Sequence, residues 1–419
     1  MWKTVTTRGL LTAVALLVVG CNGQPAAVGS ASPPMLKPVT TVPKVSGALS
    51  LIQLRMVSAS TGWGLAVPGE GRGLGHLVRT TDSGAHWSAI GLPSTLDTPN
   101  LDAIDVHDEL HAWVLVVLGA ESTSSRALAV VASTDDGGVR WVTTPKFSID
   151  GHGTGVQFVD ASHGWVFATP GAGGAIGAGD TTLYRTVDGG RHWQAIKPAS
   201  QVRRDPQVAG TLPEACPMGG PIGQPSFTDA QTGWLGAFCA RPFFYVSHDG
   251  GLSWATQRLP DFPGPPSTMP PAYLVQNVDS FQRLSASDFV VFVHRGMTTG
   301  GNALQESASY VTHDGGSSWS AYRLPVPELA ADFVDPLHGW IITAGPGGDI
   351  DNRSLYSTED GARTWHLRSG PRDFFARELS FANETTGFIA VPAVKDQPAR
   401  LLRTADRGVT WLPLDIAIS

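Results

Sequence analysis

The chain has 419 residues, and its composition points to many short strands rather than to helices. It contains 49 glycines and 31 prolines, while only 16% of its residues are charged, a balance typical of sheets joined by tight turns. Its length predicts two or three domains unless internal repeats are present. The formal net charge of −7 excludes nucleic acid from the expected partners, because phosphate binding needs clustered Lys and Arg.

Residues 1–20 have the layout of a signal peptide. Lys3 and Arg8 make the start of the segment basic, and an apolar run follows them. This run is too short to cross about 30 Å of hydrocarbon comfortably. Gly20 then precedes Cys21, so the segment resembles a bacterial lipobox, with simple secretion or an uncleaved anchor as alternatives. We expect export, acylation of Cys21 and anchoring by membrane lipid at the outer face of the cytoplasmic membrane or in the cell envelope.

The segment after the acylation site predicts a disordered tether over residues 21–48. It is rich in Pro, Ser, Ala and Gly and lacks apolar periodicity, so it offers little surface to bury. The other cysteines, Cys216 and Cys239, would lie in a compartment where disulfides persist. We predict a disulfide between them, with two free buried thiols as the alternative.

One motif, Ser/Thr-x-Asp-x-Gly-x-x-Trp, recurs seven times, with Ala362 in place of glycine in the sixth copy. The copies are spaced about 54 residues apart, a period typical of propellers and solenoids. Their aspartates are Asp82, Asp136, Asp188, Asp249, Asp314, Asp360 and Asp406. Their tryptophans are Trp87, Trp141, Trp193, Trp254, Trp319, Trp365 and Trp411.

A second signature, Phe-x-Asp-x-x-x-Gly-Trp, precedes most of these boxes, as in FVDASHGW. The second copy has Ala112 for the glycine, the seventh has Phe388 for the tryptophan, and the fifth is degraded around Phe289. With the apolar stretches around both signatures, each repeat supplies four short strands. The sequence therefore predicts an all-β fold over residues 49–419, a seven-bladed β-propeller of four-stranded antiparallel blades.

The residue types of the box indicate a structural role. In the hairpin between the third and fourth strands, Asp accepts backbone N–H bonds, Gly takes positive φ cheaply, and Trp packs under the turn. Every tryptophan after the leader lies in one of the two signatures. The histidines recur at turn positions without metal-ligand spacing, so we predict neither a metal site nor a cofactor.

These repeats resemble Asp-box (BNR) repeats, and the Gly-Trp companion resembles the bacterial and plastid photosystem II stability and assembly factor family. The resemblance covers residues 49–419. It implies a seven-bladed propeller that binds membrane-protein partners during assembly, although a fold does not by itself fix a function.

In an antiparallel blade, both signatures lie at one end, which we call the box face, and the remaining connections lie at the other end, the loop-bearing face. The long insertions all belong to the loop-bearing face, at residues 68–75, 170–180, 198–224, 260–273, 294–307 and 345–353. Variable loops on a rigid ring are where binding usually resides. We expect a protein partner there, and a membrane-anchored scaffold for protein interaction or for assembly of an envelope complex.

The alternative is a glycan-binding or sialidase-like glycoside hydrolase propeller. A sialidase needs three arginines and a Tyr–Glu pair; Arg55 is a candidate for the first arginine, whereas Arg79 and Arg185 precede boxes and are interpreted as blade surface. Asp349 and Asp351 lack the other ligands of a calcium loop and are interpreted as solvated acids. No catalytic residue is predicted, and a binding protein is favoured over an enzyme.

Overall fold

The computed structural model consists of β-strands joined by turns. Within the described part of the chain, no helix has the length and apolarity needed to cross a bilayer. The predicted signal peptide, Cys21, Cys216, Asp349 and Asp351 lie outside the described residues. The structure describes residues 37–38, 49–68, 75–94, 96, 100–120, 126–169, 182–198, 209–213, 220–264, 274–297, 304–345, 353–372, 378–393, 398–414 and 417–418.

Seven consecutive groups of four antiparallel strands form the blades. Blades 1 and 2 comprise β2 (Leu49–Met56), β3 (Gly62–Pro68), β4 (His76–Thr80) and β5 (His86–Ala89), then β6 (Asn100–Val106), β7 (Ala112–Ala120), β8 (Arg126–Thr134) and β9 (Arg140–Thr143). Blades 3 and 4 comprise β11 (His152–Phe158), β12 (Gly164–Thr169), β13 (Thr182–Thr186) and β14 (Gln194–Pro198), then β16 (Gly220–Phe227), β17 (Gly233–Cys239), β18 (Phe243–Ser247) and β19 (Ala255–Arg258).

The remaining three blades follow the same order. They comprise β20 (Leu274–Arg283), β21 (Phe289–Met297), β22 (Leu304–Thr312) and β23 (Ser320–Arg323), then β24 (Glu328–Phe333), β25 (Gly339–Thr343), β26 (Arg353–Thr358) and β27 (His366–Arg372), and finally β28 (Glu378–Phe381), β29 (Gly387–Val391), β30 (Arg400–Thr404) and β31 (Leu412–Leu414). The predicted all-β, seven-bladed architecture is confirmed.

The first strands of the blades contact one another in a closed circle. β2 contacts β6, and the contacts continue through β11, β16, β20, β24 and β28 back to β2. At the junction of blades 7 and 1, the amide of Met56 donates to Ser380 Oγ at 2.9 Å and that of Ala393 donates to Ser50 Oγ at 3.0 Å. Direct packing of blade 1 on blade 7 closes the ring, together with the pairing of the C-terminal residues 417–418 with the last strand of blade 1.

Short additional strands pair with blades 1, 2 and 3. The C-terminal β32 (Ala417–Ile418) runs parallel to β5, β15 (Gly210–Leu212) runs parallel to β14, and β10 (Phe147–Asp150) pairs with β8. The strand β1 (Lys37–Pro38) pairs with β9, so two residues of the predicted tether belong to the sheet of blade 2. These strands occupy edges that would otherwise leave backbone groups unpaired.

The tryptophan of the Gly-Trp turn is the main contact between neighbouring blades. The Trp165 ring of blade 3 stacks on Phe227 of blade 4, with centroids 3.6 Å apart and an interplanar angle of 3°. Its indole nitrogen donates to the carbonyl of Gly250, in the box of blade 4, at 2.9 Å. Trp340 stacks on Phe381 of the next blade in the same way, at 3.7 Å. The signature therefore joins one blade to the next.

The glycine of this signature leaves room for the phenylalanine of its own blade. A Cβ added at Gly164 would lie 2.5 Å from the ring of Phe158, its cross-strand neighbour. In blade 2 the same pair is Val106 and Ala112. Valine is smaller than the phenylalanine of blade 3, and this leaves room for alanine in place of glycine. In blade 5 it is Arg283 and Phe289: the second strand supplies the aromatic ring.

Each box is closed by hydrogen bonds among its own residues. In all seven, the Ser/Thr hydroxyl donates to the Asp side chain at 2.7–3.0 Å. The amide four residues after the Asp donates to the same oxygen at 2.8–3.0 Å. Ala362 takes the glycine position with φ of 67°, a conformation that disfavours side chains. The aspartate thus organises the turn.

The size match between the two strands predicts a coupled mutational effect. Gly164→Ala should lower the free energy of unfolding by about 1–3 kcal/mol, because the added methyl overlaps the Phe158 ring. Adding Phe158→Val, which reproduces the pair found in blade 2, should cost less than the two single losses summed. Urea denaturation measures all three variants, and strictly additive losses would contradict this explanation of the glycine.

Candidate functional site

The box face is uniform and internally bonded. In every blade, the residue after the box aspartate donates its amide to a carbonyl of the first turn, at 2.8–3.1 Å. The box carboxylates also accept side-chain bonds; hydrogen bonds led by that from Ser318 lower the pKa of Asp314 to about 2. The same backbone hydrogen bond thus joins the two turns of each blade at this end of the ring.

The loop-bearing face lies at the opposite ends of the strands. Several segments predicted as loops belong instead to strands: residues 294–297 pair with residues 304–307 at the end of the β21–β22 hairpin, and residues 220–222 are part of β16. Both ends of the insertion predicted at 294–307 are therefore part of the hairpin, because their backbones pair with each other. Residues 69–74, 170–181 and 346–352 lie outside the described residues.

Blade 4 departs from the common pattern at this face. In the other six blades, the second and third strands pair up to the loop-bearing end, as with Ala168 and Thr182 in blade 3. In blade 4, β17 pairs with β18 only over residues 233–235, and residues 237–239 pair with β20 of blade 5 instead. Blades 4 and 5 are thus joined in one eight-stranded sheet.

The end of β17 is held at this junction. Cys239 is 4% exposed and is disulfide-bonded; its predicted partner, Cys216, lies outside the described residues. Beside it, Gln276 of β20 donates to the carbonyl of Ala240 at 3.2 Å. The disulfide and this hydrogen bond therefore hold the end of β17 in place, away from β18.

A buried charged group lies next to this junction in blade 5. Arg295 is 4% exposed, and its guanidinium lies over the Phe262 ring at 4.2 Å. Its Nε donates to Glu306 at 2.7 Å, and Arg323 donates to the other oxygen of the same carboxylate. Each charge is paired, as burial requires.

A Ser–His–Glu arrangement joins blades 5 and 6 nearby. His294 Nδ1 lies 2.7 Å from Ser307 Oγ, and its Nε2 lies 3.1 Å from a carboxylate oxygen of Glu328. The sequence gives no sign of this arrangement, because the three residues lie on β21, β22 and β24 and share no motif. The residue types match those of a nucleophile, base and orienting acid.

Burial argues against a hydrolytic role for this group. His294, Ser307 and Glu328 are 6%, 1% and 3% exposed, respectively. The Ser307 oxygen also accepts the amide hydrogen of Glu328 at 3.3 Å, so its lone pairs are engaged and no substrate carbonyl has access to it. We interpret it as a polar clamp between two blades.

The first strands provide polar contacts near the centre of the ring. Arg55 of blade 1 reaches Asp332 of blade 6 at 3.2 Å, and Asp332 also accepts the amide of Phe381 at 2.6 Å. Burial raises the pKa of Asp332, and the Arg55 charge opposes that shift. The arginine considered for a sialidase site thus neutralises a buried carboxylate.

The arginines that precede the boxes lie between blades, so their interpretation as blade surface is wrong. Arg79 lies over the Trp63 ring at 5.2 Å and donates to the carbonyl of Glu109 in blade 2 at 3.1 Å. A Cβ at Gly250 would lie 2.6 Å from Arg185 Nε, and burial lowers the pKa of Arg185. Arg55, Arg79 and Arg185 do not converge as a carboxylate-binding cluster.

One group of side chains on the box face has the composition of a metal site. Oxygen and nitrogen atoms of Asp335, His338 and Glu384 lie within 4.8 Å of one another. However, Asp335 already accepts His338 Nδ1 at 2.8 Å, and Glu384 pairs with Arg407 at 2.9 Å. The arginine charge disfavours a cation there, and we interpret the group as a turn network.

Comparison with known proteins places the fold among β-propellers. No protein-family model and no curated protein matches the sequence. Among solved structures, an ulvan lyase of polysaccharide lyase family PL25 has a TM-score of 0.51 at 12% identity, covering 89% of this chain and 96% of that one. YCF48 bound to a D1 peptide has a TM-score of 0.47 at 15% identity, covering 90% and 96%.

A third similar structure is the GH74 xyloglucanase from Xanthomonas campestris. Its TM-score is 0.48 at 15% identity, and the match covers 90% of this chain and 56% of the enzyme. YCF48 is thus one of several solved structures to which this chain is similar. At 12–15% identity, these likenesses concern the fold.

Removal of the Glu328 carboxylate from the polar clamp should destabilise the folded protein. Glu328→Ala should lower the free energy of unfolding by about 3–5 kcal/mol, because it removes the buried carboxylate that pairs with Nε2 of the buried His294. The matched control is Glu384→Ala, whose carboxylate is 44% exposed and pairs with Arg407; its loss should be about 0–1 kcal/mol. Chemical denaturation compares the two, and equal losses would refute the clamp.

A histidine at the junction of blades 2 and 3 should make stability depend on pH. The hydrogen bond to Asp105 raises the pKa of His107, so protonation favours the folded state. This contribution is fully present below the unfolded pKa of about 6.5 and is lost as the pH rises through the folded value.

The variant His107→Gln should therefore lose more stability near pH 5 than near pH 8. His248→Gln is the control, since His248 is exposed and forms no hydrogen bond with the described residues. Thermal unfolding across this pH range measures both variants. A deficit for His107→Gln that does not change with pH would show that its role is packing alone.

Proposed function

We propose that this protein is an exported, lipid-anchored β-propeller scaffold that binds a protein partner through its loop-bearing face. The observation that carries the proposal is the departure of blades 4 and 5 from the pattern of the ring. There the end of the second strand of blade 4 separates from the third strand, stays paired with the first, and pairs with β20 of blade 5. A repeat protein that breaks its own local rules usually does so for function.

The contrast between the two ends of the ring supports this choice of face. At the box face, seven similar turns satisfy their own hydrogen-bonding groups. At the loop-bearing face, the connections differ in length from blade to blade, and connections of this kind carry most binding functions on rigid scaffolds. A rigid ring with one variable end is suited to holding a partner in a fixed orientation.

The anchor is supported by the sequence of the first 48 residues. A leader with a basic start, a cysteine after Gly20, and a stretch rich in Pro, Ser and Ala together suit a tethered domain at a membrane surface. A flexible tether of this length would span on the order of 30 Å. The ring would then reach partners in or near the membrane without entering it.

Site-specific photocrosslinking tests the binding face. A photoreactive amino acid is placed at Pro260 or Pro325, which are exposed at the loop-bearing end, and at Val139 or Val187, which are exposed on the box face. Crosslinking in cells of the source organism should give one shared adduct from the first pair and none from the second. The same adduct from all four positions, or from the box face alone, would overturn the assigned face.

Fatty-acid labelling tests the anchor. Cys21→Ala should abolish incorporation of an alkyne-tagged fatty acid and should release the protein from the membrane fraction, because acylation supplies the buried hydrocarbon. Cys216→Ser, which removes a cysteine outside the leader, should leave labelling intact. Retention of label and of membrane association by Cys21→Ala would contradict the anchor.

A further inference from the structure

We infer that a cleft in blade 4 binds a carboxylate-bearing saccharide, a ligand class beyond the protein partner proposed above. The cleft lies at the loop-bearing ends of β18 and β19, beside the turn that joins β17 to β18. A cavity of ≈ 470 Å³ lies there, within the usual size of small-molecule sites. Six of its lining residues are Arg241, Pro242, Phe243, Thr256, Arg258 and Asp261.

Two arginines give the cleft its charge. Arg241 and Arg258 are both exposed, and within the described residues neither forms a hydrogen bond or a salt bridge. Most other described arginines have such a partner, as Arg140 has Asp136. Two guanidinium groups and the single carboxylate of Asp261 leave the lining of the cavity with a net positive charge, which attracts an anion. A carboxylate suits them best, because guanidinium binds it through paired N–H donors.

The other walls suit a sugar ring. Phe243 is half-buried and lies directly opposite Arg258 in the strand pairing, so an apolar surface adjoins the charged one. Thr256 lies on the same strand as Arg258, two residues away, and therefore on the same face. An apolar surface with a few polar groups is the usual make-up of a ligand site.

Asp261 distinguishes between two classes of acidic ligand. It is exposed and has no hydrogen bond or salt bridge to any residue that the structure describes. An acidic peptide and an acidic saccharide both bring carboxylates that Asp261 repels, but each uronic acid also carries ring hydroxyl groups beside its carboxylate. The hydroxyl groups of a sugar can instead donate to it while the sugar carboxylate engages the arginines. The chemistry of the cleft therefore favours a uronic acid over an acidic peptide.

Calorimetric titration of the full-length protein in detergent tests this site without any protein partner. The probes are tri-galacturonate, its neutral counterpart galactotriose, and tri-glutamate. Tri-galacturonate should bind, and Arg241→Ala and Arg258→Ala should each weaken binding about tenfold or more, as expected for the loss of a charged hydrogen bond. Arg258→Lys, which keeps the charge but loses the paired donors, should give a smaller loss.

Arg191→Ala is the matched control, because Arg191 is exposed in a box on the opposite face; it should bind like the unaltered protein. Melting temperatures verify that each variant is folded. The proposal is overturned if tri-galacturonate does not bind, if the double arginine variant binds it unchanged, or if galactotriose or tri-glutamate binds as tightly. None of these outcomes depends on the crosslinking result, so the cleft and the scaffold function can fail separately.

Discussion

The ring depends on the contact between a second-strand tryptophan and the first strand of the next blade. An isolated four-stranded blade leaves both of its faces exposed, and stacking such as that of Trp165 on Phe227 buries them pairwise. The glycine beneath each phenylalanine is part of the same contact, because any side chain there would displace the ring. Trp165 and Trp340 also donate their indole N–H to a carbonyl in the box of the next blade. Closure follows when the seventh blade meets the first.

A second set of contacts lies on the first strands, where the blades meet most closely. Side chains such as Asp105 and Gln157 accept the amide of the first-strand residue in the next blade, at 2.7 and 2.8 Å. These bonds replace the hydrogen bonds to water that burial removes. They are needed because an unpaired polar group is costly in the low-dielectric interior. Asp332 illustrates the cost, since burial raises its pKa although Arg55 and an amide both bind it. Aromatic stacking and these polar contacts therefore both stabilise the junctions between blades.

Blades 4 and 5 depart from this scheme in two different ways. In blade 5, Phe289 supplies from the second strand the ring that packs against Trp234, at 4.1 Å, so packing survives the loss of the motif. The pairing of β17 with β20 has no such structural need, because the other blades close without it. That difference separates a compensated substitution from an addition that the ring does not require.

The sequence alone determined the blade number, the position of the boxes and the turn chemistry. Each box satisfies its hydrogen bonds within a few consecutive residues, so the motif carries its own structure wherever it occurs. Only the tertiary structure decided which side chains meet across blades: Arg79 over Trp63, and His294 between Ser307 and Glu328. These contacts join residues from different strands, and ring closure fixes their distances. Local hydrogen bonding is encoded in contiguous residues, whereas sites between strands arise only when the whole ring is assembled.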